Sequence, residues 1–327
     1  MKKELTVQNI FDTAIKRWIE NDPRGKKEVK IYLERMNKEY KKLSKEEKKY
    51  YNKEHLRNPY HDSTVYFPGK GKKIKKIIVG IDVEGPEFLL VNEYNKKHKK
   101  SPIDLVVWHH PECHALLGIA KLQKWIAPAV SHNTGVPINF CEKIEFPRVG
   151  EVEQRFSPMN HSRVSKFPEY LDIPYMWIHT PADNCCHVYF EKLVDKNKKK
   201  LIYLQDIIDL LMKEPEMQIA RHNASGPQIW NGEPDSRCGK IVITGITGGT
   251  ESSKHIYAEY AKAGVGTILE MHMSPDHLAE AKKNNLNVIM TDHMASDSLG
   301  MNLIFDEIEE MWVEILDFSG FTRCSRV

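Results

Sequence analysis

The sequence lacks the motifs that mark several common classes of enzyme. None of its six cysteines forms a CxxC pair, which argues against a structural zinc knot. No GxSxG is present and no cysteine stands in a recognisable protease context, so nucleophilic acyl transfer is disfavoured. The chain also has neither GxxxxGKS/T nor GxGxxG, so the usual P-loop and dinucleotide-binding turns are not indicated.

A surplus of one charge sign and a long hydrophobic run are missing as well. Lys and Arg number 48 and Asp and Glu number 45, whereas a dedicated nucleic-acid binder needs a basic excess, so we expect no nucleic-acid partner. The N-terminal stretch MKKELTVQNIFD has no apolar core of signal-peptide length, and no run approaches transmembrane length. We therefore expect a cytoplasmic protein without membrane contact. In that compartment the cysteines should be free thiols: Cys113, Cys141, Cys185, Cys186, Cys238 and Cys324.

The pattern of hydrophobic residues predicts an α/β fold behind N-terminal helices. Apolar residues recur at helical spacing over 6–20 and again within the Lys-rich stretch 26–55. Beyond these, short apolar runs alternate with helical patterns, which favours mainly parallel sheets with crossover helices. The predicted strands are 75–83, 103–110, 173–180, 240–246, 265–271 and 286–292, and the predicted helices are 87–97, 115–127, 202–213, 251–264, 275–285 and 295–312. The stretch 215–239 is rich in Pro, Gly and Asn and is typical of a connection between lobes or an ordered loop.

Metal-binding residue types stand at the carboxyl ends of four predicted strands, where open α/β sheets bind their ligands. The chain holds 15 histidines, and several of them follow these strands. The residues at the four ends are His109 and His110; His179 with Asp183; Glu270 and His272; and Asp292 and His293 with Asp297. This repetition predicts a metal site at the edge of the sheets.

Each of these motifs also has a plainer interpretation. His109 and His110 alone are equally consistent with hydrogen-bonded loop histidines. His293 and Asp297 share one helix face and can bind one cation or bridge two, but Asp297 or Ser296 can instead cap the helix. In HTPAD (179–183), Thr180 or Asp183 can likewise begin a helix.

The glycine-rich stretch TGITGGTESS (244–253) lies between a predicted strand and a predicted helix. A tight βα turn that needs glycine is the favoured interpretation. If the turn faces the cleft, Gly248 and Gly249 are candidates for binding an anionic part of a substrate through backbone N–H groups.

Five segments, taken in order, resemble the Nif-three-like family (Ngg-interacting factor three), often described as type 2 GTP cyclohydrolase I homologues. They are IIVGIDV, DLVVWHHPE, HTPAD, KIVITGITGGTESS and NVIMTDHMASDSLG, and they extend from about residue 60 to 310. The resemblance implies two interlocked α/β lobes that face each other across a dinuclear metal cleft, and assembly into a ring-shaped homohexamer. It divides the chain into an N-terminal helical segment, 1–58, and a two-lobe unit, 59–327, with the lobe connection near 184–239.

The family's metal ligands fall on five residues of this chain. The paired histidines correspond to His109 and His110, the aspartate of HTxxD to Asp183, and the late histidine to His293. The family usually has a glutamate four residues after that histidine, where this chain has Asp297, a carboxylate of shorter reach. It also tends to have Gly-His-Tyr where this chain has Asp-His-Met over 292–294.

These ligands predict a metal-dependent hydrolase as the first hypothesis. Mixed His and carboxylate donors suit two divalent ions of zinc, iron or manganese better than calcium or magnesium. Two such ions activate a shared water as a hydroxide nucleophile, here against a small molecule for which a nucleotide-like compound is a candidate. Glu270, His272 and His277 are candidates for proton transfer or support of the ligands.

Two other functions remain open from the sequence. A metal-binding or metal-handling protein without turnover would use the same ligands. A regulatory protein that binds partners through its Lys-rich N-terminal helices is the third hypothesis. An open coordination position beside a substrate cleft would distinguish the enzyme from the binding protein.

Overall fold

Two mainly parallel β-sheets form the frame of the protein in this computed structural model, which describes residues 5–71 and 73–327. Residues 1–4 of the predicted N-terminal segment lie outside the described residues. The strands are β1 (Thr64–Phe67), β2 (Lys76–Gly80), β3 (Leu105–Trp108), β4 (Tyr175–Trp177), β5 (Gln228–Asn231), β6 (Lys240–Ile243), β7 (Val265–Glu270), β8 (Asn287–Met290) and β9 (Glu314–Asp317).

The first sheet has the order β1-β4-β3-β2-β9, and the second has the order β5-β8-β7-β6. In the first sheet β4, β3, β2 and β9 run parallel and β1 is antiparallel; in the second β8, β7 and β6 run parallel and β5 is antiparallel. Every residue of β2 and β3 is buried, as expected for parallel strands covered by helices on both faces. The predicted α/β class with mainly parallel sheets is confirmed.

Thirteen α-helices cover these sheets in the part of the chain that the structure describes. They are α1 (Val7–Glu20), α2 (Lys26–Lys42), α3 (Lys45–Lys49), α4 (Gly85–Lys97), α5 (Cys113–Thr134), α6 (Ile138–Phe156), α7 (Lys166–Leu171), α8 (Thr180–Asn197), α9 (Leu204–Leu211), α10 (Pro215–His222), α11 (Tyr257–Lys262), α12 (Pro275–Lys283) and α13 (His293–Glu309). Short 3₁₀ turns occupy Lys53–Leu56 and Lys254–Ile256.

Helix α1 belongs to the core of the first sheet. Its Ile10, Phe11 and Trp18 are 1%, 1% and 0% exposed and share one apolar cluster with Val79 of β2 and Val107 of β3. The apolar spacing that predicts this helix therefore also marks the face that it buries.

The interpretation of 215–239 as a loop was wrong in part. This stretch contains α10 and the edge strand β5. Pro215 lies in the first turn of α10, where a missing N–H costs nothing because that group has no helical partner. Gly226 and Gly232, both with positive φ, flank β5 and turn the chain at its ends. Proline and glycine here mark the ends of short elements.

The state of the cysteines agrees with the prediction that they are thiols rather than disulfides. All six are thiols, and five of them are buried, with Cys324 partly exposed. Among the described residues, no helix combines the length and the apolar character that crossing a membrane requires.

The topology brings several strand ends together. Gly80 of β2 pairs with Trp108 of β3, which pairs with Trp177 of β4, so these three neighbouring parallel strands end side by side. In the second sheet, Glu270 pairs with Met290 at the ends of β7 and β8. The residues that directly follow each strand therefore meet at the carboxyl edge of its sheet.

Candidate metal centre

The five predicted ligands form one cluster around the carboxylate of Asp297. Its Oδ1 lies 3.4 Å from Nε2 of His109, and its Oδ2 lies 3.3 Å from Nε2 of His110 and 3.5 Å from Nε2 of His293. Asp183 Oδ1 lies 3.3 Å from Nε2 of His109. Two groups capable of holding a metal ion therefore share Asp297: one with His109 and Asp183, the other with His110 and His293.

The separations in this cluster match the geometry of a bound cation. Ligand bonds of about 2.0–2.1 Å in a tetrahedron place neighbouring ligand atoms about 3.3 Å apart. The four N–O separations given above range from 3.3 to 3.5 Å. These four donor pairs therefore stand at the spacing expected between neighbouring ligands of a zinc-sized ion.

The burial of unpaired polar atoms supports the same conclusion. Asp183 and Asp297 are each 1% exposed and His109 is 0% exposed. Both oxygens of each carboxylate, and Nε2 of His109, are buried without a hydrogen-bond partner. Two bare carboxylates in the interior carry a large desolvation cost, which a cation between them would offset. The residues present fit a metal ion.

Strand β3 and the helices α8 and α13 position these side chains. The N–H groups of His109 and His110 donate to Gly80 O and Ile81 O, both at 3.0 Å, and so extend the pairing of β3 with β2. Asp183 lies in the first turn of α8. Asp297 lies one turn into α13, below His293.

The helix cap at α13 is Asp292, so neither Asp297 nor Ser296 has the capping role that the sequence left open. Asp292 Oδ1 accepts the N–H of Ala295 at 3.0 Å, and its Oδ2 accepts the N–H of Gly226 at 2.8 Å and the hydroxyl of Ser225. The φ of Asp292 is +78°, a left-handed conformation that favours glycine. Glycine at this position of the family fits that backbone, and Asp292 adds hydrogen bonds that glycine cannot make.

A set of acceptors turns the histidines toward the cluster. Nδ1 of His109 donates to Ile178 O at 3.0 Å, and Nδ1 of His110 donates to Asp82 Oδ1 at 2.7 Å. An acceptor at Nδ1 keeps the proton there and leaves Nε2 free to bind a metal. Asp82 was missed from the sequence, although it lies in the IIVGIDV segment, two residues after the end of β2.

The two carboxylates also shift the pKa values of their neighbours. Burial lowers the pKa of His110, but the nearby carboxylates of Asp297 and Asp82 outweigh it and raise that pKa to about 9. Burial raises the pKa of Asp297, but the imidazoles of His109 and His293 hold it well below its usual range. The cluster therefore attracts positive charge strongly.

One side of the cluster is open. The side chains of His110 and His293 are 25% and 35% exposed, in contrast to the fully buried His109. A cavity of about 360 Å³ borders His293 and is lined among others by Asn223, Ser225 and Ser298. The cluster thus has a buried side at His109 and a partly exposed side at His110 and His293, of which His293 borders this cavity.

Of the other predicted site residues, His272 lies beside the cluster, whereas Glu270 and His277 contact residues outside it. The ring of His272 is centred 5.1 Å from that of His293, and its buried Nδ1 has no hydrogen-bond partner. Glu270 instead accepts the Thr244 hydroxyl at 2.7 Å, in the glycine-rich stretch. His277 contacts the Tyr257 hydroxyl at 3.1 Å and Glu251 at 3.7 Å.

The glycine-rich turn packs against α5 beside the cluster. A Cβ on Gly248 would lie 2.5 Å from Ile126, so the close packing there requires glycine. A Cβ on Gly249 would lie 3.2 Å from Ile119 and 3.6 Å from the ring of His179. Gly249 therefore borders the histidines, and its role in binding an anion stays a prediction.

Comparison with known proteins identifies the fold. No protein-family model and no curated protein matches the sequence. Among solved structures, a NIF3 superfamily protein from Sphaerobacter thermophilus is 27% identical with a TM-score of 0.70, over 80% of this chain and 91% of that chain.

More distant structures match with lower TM-scores. Reduced HcgD from Methanocaldococcus jannaschii is 13% identical with a TM-score of 0.44, over 76% of this chain and 84% of that one. A Bacillus cereus protein related to NIF3 is 10% identical with a TM-score of 0.37, over 79% of this chain and 91% of that one.

The similarity to the Sphaerobacter protein shows that the chain has the fold of the NIF3 superfamily. The resemblance that its motifs predict is confirmed.

Proposed function

We propose that the protein is a dinuclear metal-dependent hydrolase that acts on a small molecule, with nucleotide-like compounds as the first candidates. His109, Asp183 and Oδ1 of Asp297 would hold one ion, and His110, His293 and Oδ2 of Asp297 would hold the other. This mixed donor set suits zinc, iron(II) or manganese(II). Two such ions lower the pKa of a shared water and so supply a hydroxide nucleophile near neutral pH.

The chain's own residues have separable tasks in this proposal. Asp297 would contribute one oxygen to each position, because Oδ1 lies nearest His109 and Oδ2 nearest His110. Asp82 holds the ring of His110 by its Nδ1. His272, beside His293 at the open side, is the nearer of the candidate proton-transfer residues.

The open face supports an enzyme over a metal-storage or metal-delivery protein. A binding protein without turnover would close the coordination shell with its own side chains. Here the second position has three protein donors, and two of them, His110 and His293, are partly exposed. A cavity of about 360 Å³ borders His293. This partial exposure supports the proposal, because it leaves room for a substrate beside His293.

The experiment is metal analysis of the purified protein together with a hydrolase panel of phosphodiesters, phosphomonoesters, GTP and cyclic amides. We expect two metal equivalents, and activity that rises and falls with metal content. His293→Ala should lose metal and activity, whereas His98→Ala, an exposed histidine on the end of α4, should keep both. Stoichiometric metal without turnover on any substrate would instead support the binding protein.

The resemblance to the family also suggests an assembly and a division of the chain. We infer a homohexamer, which light scattering of the intact chain would test directly. The division into an N-terminal segment, 1–58, and a two-lobe unit, 59–327, remains part of the same proposal, as does the lobe connection near 184–239.

A further inference from the structure

A buried carboxylate outside the predicted ligand set lies directly behind the cluster. Asp62, in the connection between the N-terminal helices and β1, is 0% exposed. Its Oδ2 accepts three donors: Nδ1 of His179 at 2.6 Å, the hydroxyl of Thr180 at 2.7 Å, and the N–H of Thr180 at 3.2 Å. The hydroxyl of Ser63 next to it accepts the N–H of His179 at 3.0 Å. The start of α8 is thus fixed to this connection.

These bonds determine how His179 faces the centre. With the proton at Nδ1 held by Asp62, Nε2 carries the free lone pair. The histidine is 5% exposed, and its donor atom forms a group with those of His109 and His110, all within 4.8 Å of one another. Its Nε2 lies 3.8 Å from Asp183 Oδ2, which is too long for a hydrogen bond but close for two ligands of one ion.

We propose that His179 is a further metal ligand of this centre and that Asp62 is the residue that positions it. The inference rests on the metal centre of the proposed function, but not on hydrolysis. A fourth imidazole would adjoin the buried position of His109 and Asp183, while the side of His110 and His293 stays accessible. The two positions would then differ in how many protein donors surround them.

The pairing of Asp62 with His179 supports a ligand rather than an ordinary core histidine. A buried carboxylate hydrogen-bonded to Nδ1 of a metal-ligating histidine is a recurrent arrangement, because it fixes the ring and makes Nε2 more basic. In this centre Nδ1 of His110 also donates to a carboxylate, that of Asp82, which is exposed. His109 has a backbone carbonyl, Ile178 O, in that place. Each of the three rings of the group therefore has a hydrogen-bond acceptor at Nδ1, which leaves its Nε2 available for a metal.

The first test counts imidazole ligands in the zinc-loaded intact chain by X-ray absorption. We expect four imidazoles per centre, from His109, His110, His179 and His293. A count of three would overturn the proposal. This measurement needs no variant, so it decides the question even if a substitution prevents folding.

The second test uses variants loaded with cobalt(II), whose visible spectrum reports the coordination number. His179→Ala should change the spectrum, and added imidazole should restore it. Asp62→Asn keeps the shape but loses the charge, so we expect metal affinity to fall about 10–100-fold. Asp104→Asn is the matched control, since Asp104 accepts the N–H groups of Lys75 and Lys76 and contacts no histidine.

The outcomes separate this proposal from the proposed function. Unchanged spectra and affinities in His179→Ala and Asp62→Asn would overturn the role of His179 and leave the hydrolase intact. A negative hydrolase panel with altered spectra would leave His179 as a ligand in a protein without turnover. An intact chain that takes up no zinc or cobalt would overturn both.

Discussion

Glu270 is expected to be uncharged at neutral pH, and its ionisation should oppose folding. The side chain is 4% exposed and accepts the hydroxyl of Thr244. Burial raises its pKa to about 8, against an ordinary value of 4.5. Between those two pH values the folded chain keeps a proton that the unfolded chain releases. The contribution of Glu270 to the free energy of unfolding is therefore complete at low pH and is lost as pH rises toward 8.

The size of this loss follows from the two pKa values. One pKa unit corresponds to about 1.4 kcal/mol, so between pH 5 and pH 8 the contribution falls by about 3–4 kcal/mol. Glu270→Gln keeps the shape and the acceptor for Thr244 but cannot ionise. Relative to the wild type, this variant should gain about that much free energy of unfolding over the same pH range.

Urea denaturation at several pH values, in the presence of a chelator, measures this difference. Glu145→Gln is a graded control, because burial also raises the pKa of Glu145, but only to about 7, so its variant should gain less. A difference between Glu270→Gln and the wild type that stays constant from pH 5 to pH 8 would refute an uncharged Glu270. So would a difference that increasingly favours the wild type at high pH.

Three further predictions concern the metal centre and the start of α13. His109→Ala should lose most bound metal while circular dichroism stays unchanged, and full occupancy by elemental analysis would contradict the ligand assignment. Asp292→Ala keeps the positive φ but loses the cap and the bonds to the loop at 225–226, so we expect a loss of about 1–3 kcal/mol in urea denaturation, with Asp292→Gly less affected. Asp297→Glu adds a methylene where both oxygens already stand at ligand spacing, so metal affinity by competitive titration should fall; tighter binding would show that Asp297 is too short.

Much of the fold could be predicted because its strands are short, wholly apolar runs. The strands β2 and β3 are fully buried, and the bounds predicted for them agree with the observed bounds to within a few residues. Edge strands such as β1 and β9 escaped prediction, since their residues are half-buried or exposed and show no clear alternation. The start of α8 was recognised at HTPAD, but its extent to Asn197 was not.

The clustering of the five candidate ligands could be predicted because each of them follows a recognisable strand or lies one helical turn beyond it. The residues that orient the ligands could not, because their partners are distant along the chain. Asp62 and His179 are separated by 117 positions, and no local pattern connects them. Asp82 carried a signal at the end of β2, but only the folded chain shows that it bonds to His110.

The candidate metal centre combines residues from both sheets, and this brings its carboxylates and imidazoles close together. His109 and His110 come from the first sheet, whereas His293 and Asp297 come from the helix that follows β8 of the second. The two buried carboxylates raise the pKa of His109 well above its usual range, although burial lowers it. A cation between the carboxylates would supply positive charge between the sheets. The carboxylates that are costly to bury are therefore the same groups that would favour metal binding there.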